Sequence, residues 1–249
     1  MAEEHCLDGY SSRELEGELG LPHVELLSDT TSTQDVAHKL AADGARSGTL
    51  VVADQQTRGR GRSGARWHSA AGTGLWLTLI ERPSDSTGVD VLSIRVGIRT
   101  ARALDRFAAE PIRLKWPNDL YVGGRKLAGI LVEARWRDVR LEWIAIGIGI
   151  NIAPTADMPD AAGLDPGTRR ADMLAEMIPG LRLAASSSGE LTPRELMEFD
   201  TRDMARGRQC SQPAQGIVRG ITASGELLVA LADTVASFRS GSLVLDHPS

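Results

Sequence analysis

Between residues 112 and 152 three β-type runs, 112–115, 126–136 and 140–152, follow one another with short links, in which Gly123 with Gly124 and Arg137 with Asp138 are the turn candidates. A parallel pair needs a crossover of about a dozen residues or more, so links this short dictate antiparallel pairing. Ahead of these runs Leu92, Val96, Thr100, Ala103 and Phe107 recur at spacings of three or four residues. That period marks one face of a helix packed on a sheet. Together the two patterns predict an α+β domain: a mixed, largely antiparallel sheet packed by helices.

Upstream, residues 12–19 read as a short capped helix, 24–27 as a strand and 32–43 as a helix that ends at Gly44. TLVVAD (49–54) and GLWLTLIE (74–81) have strand character. The segment between them, 55–73, is basic, glycine-rich and long for a connection inside a compact domain; loops of that kind serve function or stay disordered. Beyond the loop 154–168, Leu174, Met177, Ile178 and Leu181 suggest a helix that Pro179 should bend or end early. Another helix is expected near Thr192, with Pro193 in its first turn. From about Gly207, short strands divided by Ser224-Gly225, Ala232-Asp233 and Ser240-Gly241 suit a small β-barrel. The expected organisation is an N-terminal extension (1–20), a main domain (21–203) and a small terminal domain (204–249).

The 249 residues are 42% hydrophobic and 24% charged, enough for one full core and a smaller second one. No window approaches the ~18 consecutive apolar residues of a membrane span, and the acidic start MAEEHCLDGY is unlike a secretory signal, so a cytoplasmic protein with no membrane partner is expected. Cys6 and Cys210 have no second Cys or His at ligand spacing, which argues against a disulfide framework and a structural zinc site; no metal ligand is nominated. Of the 28 basic residues only Lys39, Lys115 and Lys126 are lysines. Two of these fall in dense short motifs, which directs attention to their amines. A net charge of −5 argues against general nucleic-acid binding, so any polyanion site must be local.

The run GRGRSG (59–64) matches the glycine pattern of a dinucleotide fingerprint, but that fingerprint must open a helix, and here Ala65, Arg66, Trp67 and His68 lead toward another strand. A better account has Gly59, Gly61 and Gly64 allowing close approach to a ligand while Arg58, Arg60, Arg62 and Arg66 offer guanidinium forks to carboxylate or phosphate. KWPND (115–119) joins a cation, an aromatic, a proline-fixed turn and two hydrogen-bonding side chains, although WPND alone would also serve as a rigid turn. In KLAGILVE (126–133), Gly129 interrupts a β-branched strand, and in GIGIN (147–151) alternating glycines weaken a strand unless something fills the space they leave.

Taken in order, STQD (32–35), QQTRGRGRSGARW (55–67), KWPND, KLAGILVE and GIGIN resemble the motifs of the biotin protein ligases, over roughly residues 21–203. The barrel expected at the end resembles that family's small SH3-like domain in position and size. The resemblance implies a class II synthetase-like catalytic domain that forms biotinyl-5′-AMP from biotin and MgATP and transfers the acyl group to a lysine of a biotin carboxyl carrier domain. It further implies that Ser32, Thr33, Gln56, Gly59, Arg60, Lys126 and Gly129 bind biotin. A neutral urea needs donors and acceptors in a largely apolar pocket, which suits the first of these. Arg62, Trp67, Asn118, Lys126 and Asn151 would bind the nucleotide, with Trp116, Ile130, Gly147 and Gly149 also in the lining. Lys126, Arg62 and Asp119 are the implied catalytic residues: Lys126 at the reacting carboxylate and α-phosphate, Arg62 in the closing loop, and Asp119 as base or anchor for the incoming amine.

Three departures from the family pattern stand out. Ala65 occupies a position that is usually arginine, with Arg66 beside it; Gln34 replaces an asparagine; and only about 20 residues precede the catalytic domain, so no DNA partner is expected. Lipoate or octanoate protein ligases, which share fold and reaction type, and a noncatalytic biotin-binding protein are the alternatives. The family resemblance also allows a homodimer through the sheet.

Overall fold

The computed structural model describes residues 5–156 and 158–246; parts of the expected extension (1–4), of the loop 154–168 (157) and of the terminal domain (247–249) lie outside the described residues. In chain order the elements are α1 (Ser12–Leu19), β1 (His23–Thr30), α2 (Thr33–Ala42), β2 (Thr49–Gln56), β3 (Gly59–Arg60), β4 (Arg66–Trp67), β5 (Gly74–Glu81), α3 (Leu92–Leu104), β6 (Arg113–Lys115), β7 (Asp119–Val122), β8 (Arg125–Arg137) and β9 (Arg140–Asn151). After them come α4 (Arg170–Ser186), α5 (Pro193–Arg202), β10 (Gln209–Gln212), β11 (Gly216–Ile221), β12 (Leu227–Ala230), β13 (Val235–Phe238) and β14 (Val244–Leu245).

Seven strands form the main sheet in the order β1-β2-β5-β9-β8-β7-β6. Only β1 and β2 run parallel; every other neighbouring pair is antiparallel, which the short links require from β6 to β9. One face carries the main core, in which Leu75, Leu77 and Leu79 of β5 and the isoleucines of β9 meet Val96, Ile98 and Leu104 of α3 and Leu174, Met177 and Leu181 of α4. The other face receives α2, whose Ala37 and Ala41 pack on Val51, Ile80 and Trp143. The alternation follows from the period of two along each strand. The terminal strands form a separate five-stranded antiparallel sheet, β13-β12-β11-β10-β14, as expected of the SH3-like domain. Among the described residues no helix is long and apolar enough to cross a membrane.

Two local expectations are corrected. Residues 119–122, left between a turn and a glycine pair, form the strand β7, paired with β6 and β8. Pro179 neither ends nor shortens α4, which runs on to Ser186. A proline inside a helix costs about 3 kcal/mol. Met173, Leu174, Met177, Ile178 and Leu181 are all buried around it, and at roughly 1.5–3 kcal/mol for each such side chain their burial outweighs that cost.

The start of α5 is tied to α3 by one carboxylate. Glu195 accepts from the Thr192 backbone N–H at 2.8 Å, closing a capping box, and from Nε of the buried Arg95 at 3.1 Å. Burial alone would raise the Glu195 pKa, but the Thr192 and Arg95 hydrogen bonds outweigh it and hold the group below its ordinary 4.5. A carboxylate depressed in the folded state stabilises the fold above its unfolded pKa and loses that contribution as pH falls through the folded value. Calorimetry at neutral pH and at about pH 3 should therefore show the wild-type melting temperature falling with acid. Glu195→Gln should melt lower at neutral pH and show a shallower acid loss.

Candidate active site

The floor of the site comes from the face of the sheet opposite the main core. Ala128 and Ile130 on β8, and Ile146, Ile148 and Ile150 on β9, point into that core. The residues between them, Gly129, Gly147 and Gly149, consequently face the side of α2, and the register sets Gly149 between Gly129 and Trp76. A Cβ on Gly129 would stand 2.8 Å from Cζ3 of Trp67; on Gly149 it would run into the same indole, and on Gly147 into the Gln34 carboxamide. The space that the glycines leave is thus filled by the chain itself, by Trp67 from the arginine-rich segment and Gln34 from α2. Trp67 also meets Trp76 edge to face, with centroids 6.5 Å apart.

Over this floor opens a cavity of about 660 Å³. At one end the N-terminus of α2 brings Thr33 against the end of β2: the Thr33 backbone N–H donates to Gln56 Oε1 at 2.9 Å, and the Gln56 amide donates to Ser69 Oγ at 2.7 Å. Thr78 donates to the Thr33 hydroxyl at 2.9 Å, while Ser32 caps α2 by accepting from the Gln34 N–H. These are neutral donors and acceptors on the same wall as the apolar Leu131 and the Trp67 indole. They can recognise a neutral hydrogen-bonding head group on an apolar tail.

The other end carries charge. The turn through the cis Trp116–Pro117 peptide delivers Asn118 and Asp119 to the start of β7, where Asp119 pairs with Gly129. Lys126 Nζ lies 2.8 Å from Asp119 Oδ1 and 5.3 Å from the centre of the Trp67 ring. Its backbone is held at both groups: the N–H donates to Asp160 O at 2.9 Å, and the carbonyl accepts from Ala162 N at 2.8 Å and from Asn151 Nδ2 at 3.2 Å. Asn118 is bolted to β8 by donating to Ile130 O at 2.7 Å, and its Oδ1 accepts from Arg62 Nη1 at 3.1 Å. That bond closes the arginine-rich segment across the cavity. Lys115 adds a further cation: burial pushes its amine below the ordinary lysine value, against the opposing pull of Asp119, and nearby Lys126 and Arg208 lower it further. Burial together with Asp119 and Asp160 pushes the neighbouring Tyr121 up to about 12. With Lys115, Lys126 and Arg62 set against Asp119 alone, this end of the cavity attracts anions.

The arginine-rich segment is a short hairpin, with Gly59 opposite Trp67 and Arg60 opposite Arg66. Of the residues expected in the site, Ser32, Thr33, Gln56, Arg60, Arg62, Trp67, Asn118, Asp119, Lys126 and Gly129 line the cavity, as do Trp116, Ile130, Gly147 and Gly149. Gly59 and Asn151 stand outside the wall. A Cβ on Gly59 would meet the Trp67 carbonyl and, at 2.8 Å, the Ser69 hydroxyl, so this glycine answers to packing within the hairpin. Asn151 is buried and acts on the backbone of Lys126. Gln34, Thr78 and Lys115 were missed as wall residues, and so was the segment 242–244 leading into β14. Gln34 bore a signal, as a longer amide beside a motif; 242–244 bore none, because the fold alone brings them there.

Set beside known proteins, residues 26–151 match the model of the Biotin/lipoate A/B protein ligase family. The chain is 41% identical over 132 residues to the Bifunctional ligase/repressor BirA of Bacillus spizizenii, a match spanning 52% of this chain and 41% of that one. It thus spans less than half the length of that relative. It is 27% identical over 245 residues, 90% of each chain, to the biotin--[acetyl-CoA-carboxylase] ligase of Mycobacterium tuberculosis. Among solved structures, a biotin protein ligase of Aquifex aeolicus in complex with biotin and ATP shares the fold, with a TM-score of 0.72 and 24% identity over 90% of this chain and 99% of that one.

Proposed function

The chain belongs to the biotin/lipoate A/B protein ligase family, and on that premise we propose that it is an ATP-dependent biotin protein ligase acting on a lysine of a biotin carboxyl carrier domain. The observation that carries this reading is the polarity of one cavity. A neutral hydrogen-bonding end at Ser32, Thr33 and Gln56 lies across an apolar middle from the Lys126–Asp119 and Arg62–Asn118 pairs. Biotin has that order of parts: ureido head, aliphatic tail, carboxylate. A lipoyl or octanoyl chain has no urea to use the donors and acceptors of that end, so the polar end favours biotin.

In the first step a carboxylate oxygen of biotin attacks the α-phosphorus of ATP, and the bond to the pyrophosphate oxygen breaks. Negative charge passes from carboxylate to phosphoryl oxygens, and in this reading the ammonium of Lys126 stabilises both. In the second step the carrier lysine attacks the acyl carbon and AMP leaves. A lysine amine is protonated near neutral pH and is no nucleophile until it loses a proton. Asp119, the one carboxylate lining the cavity among the described residues, orients that amine and takes the proton. Among the described residues no group of three or more His, Cys, Asp or Glu could hold a metal ion. Mg²⁺ in this reading arrives on the phosphates, as part of the substrate MgATP. These substrates and the carrier partner suit a cytoplasmic enzyme.

The test is pyrophosphate release from MgATP with biotin, lipoate or octanoate offered separately. Release that depends on biotin supports the reading. Release with lipoate or octanoate alone selects the rival ligase activity, and binding of biotin without release makes the protein a noncatalytic binder.

A further inference from the structure

Arg60 lies in the hairpin that carries Arg62 and Trp67, yet its guanidinium is engaged by two carboxylates. Nη1 donates to Asp35 Oδ1 at 2.8 Å and Nη2 to Glu133 Oε1 at 2.6 Å. The second oxygen of Glu133 is 3.0 Å from His38 Nε2, and His38 Nδ1 is 3.0 Å from Trp143 Nε1. An indole N–H can only donate, so His38 Nδ1 accepts and Nε2 carries the hydrogen given to Glu133. Burial works to raise the Glu133 pKa, but hydrogen bonds from His38 and Gln34 and the charge of Arg60 outweigh it, so the carboxylate stays below its usual range and anionic.

Asp35 and His38 stand on α2, Glu133 on β8 and Trp143 on β9. The hairpin is therefore gripped by two elements, α2 and β8, while β9 orients His38 behind Glu133. Asp35 and Glu133 are also the last residues of two motifs, STQD and KLAGILVE, whose other members supply much of the cavity wall, while neither of them lines it. An isolated exposed ion pair contributes little to stability. A guanidinium fork set between two carboxylates, one of them oriented by a histidine, works as a network.

We propose that Glu133 is a positioning residue: through Arg60 it holds hairpin 59–67 over the cavity and keeps Arg62 in reach of Asn118, so that the site stays closed, without touching the ligand. Its kinetic consequence rests on the ligase reading; its structural consequence does not. Glu133→Gln keeps the shape, removes the charge and leaves one acceptor where His38 and Arg60 both donate, so one of them meets an amide N–H. The wild type, Glu133→Gln, Arg60→Ala and the double variant would be compared in two ways.

The first measurement is amide hydrogen exchange over 58–67 with no substrate present. Glu133→Gln should exchange about tenfold faster, the scale of one charge-assisted hydrogen bond; Arg60→Ala, which also gives up Asp35, at least as fast; and the double variant no faster than Arg60→Ala. The second, with biotin and MgATP, follows pyrophosphate release and free biotinyl-AMP. In Glu133→Gln the release rate at saturating biotin should be unchanged, while the KM for biotin and the free adenylate both rise. Unchanged exchange in Glu133→Gln overturns the proposal, and so does faster exchange with the adenylate retained as in wild type. If the wild type makes no adenylate, the ligase reading fails, and the exchange arm still decides whether Glu133 positions the hairpin.

Discussion

Lys126→Ala is expected to abolish biotin-dependent pyrophosphate release, lowering its rate by about 10²- to 10³-fold or more, the effect of removing one preorganised charge from a transition state. Lys126 is the cation paired with Asp119 and packed on Trp67, and its backbone is fixed from two sides. Its side chain is 35% exposed, so truncation opens no cavity in a core. A part-exposed ion pair is worth about 1 kcal/mol at most. The melting temperature should therefore move little while the activity disappears, and both are measured on one preparation. A folded variant with undiminished release would show that Lys126 is peripheral to the chemistry.

Arg62→Gly should release the intermediate. An acyl adenylate is a reactive mixed anhydride that must be kept from water and stray amines until its acceptor arrives. Arg62 reaches across the cavity to Asn118, whose own amide is bolted to β8. Losing a hydrogen bond from a charged donor costs about 1.5–3 kcal/mol, roughly 10- to 100-fold in dissociation of whatever it retains. Arg66 also lines the cavity, but its hydrogen bond is a marginal one, 3.5 Å to the Thr57 carbonyl of its own segment. Incubated with biotin, MgATP and a bystander protein that lacks a carrier domain, Arg62→Gly should biotinylate the bystander, and Arg66→Gly much less. If Arg62→Gly still makes adenylate and labels no more than wild type, retention lies elsewhere. Arg66 beside Ala65 would then be the residue to test.

Local signals carried most of the fold. GRGRSG was separable from a dinucleotide fingerprint because Arg66 and Trp67 led toward a strand, and they pair with Arg60 and Gly59 in a hairpin. The short links after Ile112 fixed the antiparallel pairing, and the three- and four-residue spacing placed α3 on the sheet. Where the reading fell short, long-range packing overrode a local rule or supplied what no local pattern encodes. Burial carried α4 through Pro179. β7 became a strand because β6 and β8 flank it, although four residues after a proline turn carry little pattern.

The site divides in the same way. GIGIN and KLAGI announced space over the sheet, but the occupants, Trp67 and Gln34, reach it from a hairpin and a helix distant in sequence. The grip of Asp35 and Glu133 on Arg60 joins three segments, each of which alone reads as a solvated charge. Segment 242–244 completes the wall only because the terminal sheet folds back, with the Trp116 indole donating to Gly225 O at 2.9 Å.

The central claim is that one cavity first activates biotin and then delivers it to a single protein amine. The measurement that meets it most directly is intact-mass analysis of a biotin carboxyl carrier domain incubated with the protein, biotin and MgATP, followed by peptide mapping. The account predicts one biotinyl group on one lysine, dependent on ATP and absent with Lys126→Ala. A carrier domain that stays unmodified under these conditions, or acquires an octanoyl or lipoyl group in preference when those acids compete, would contradict it.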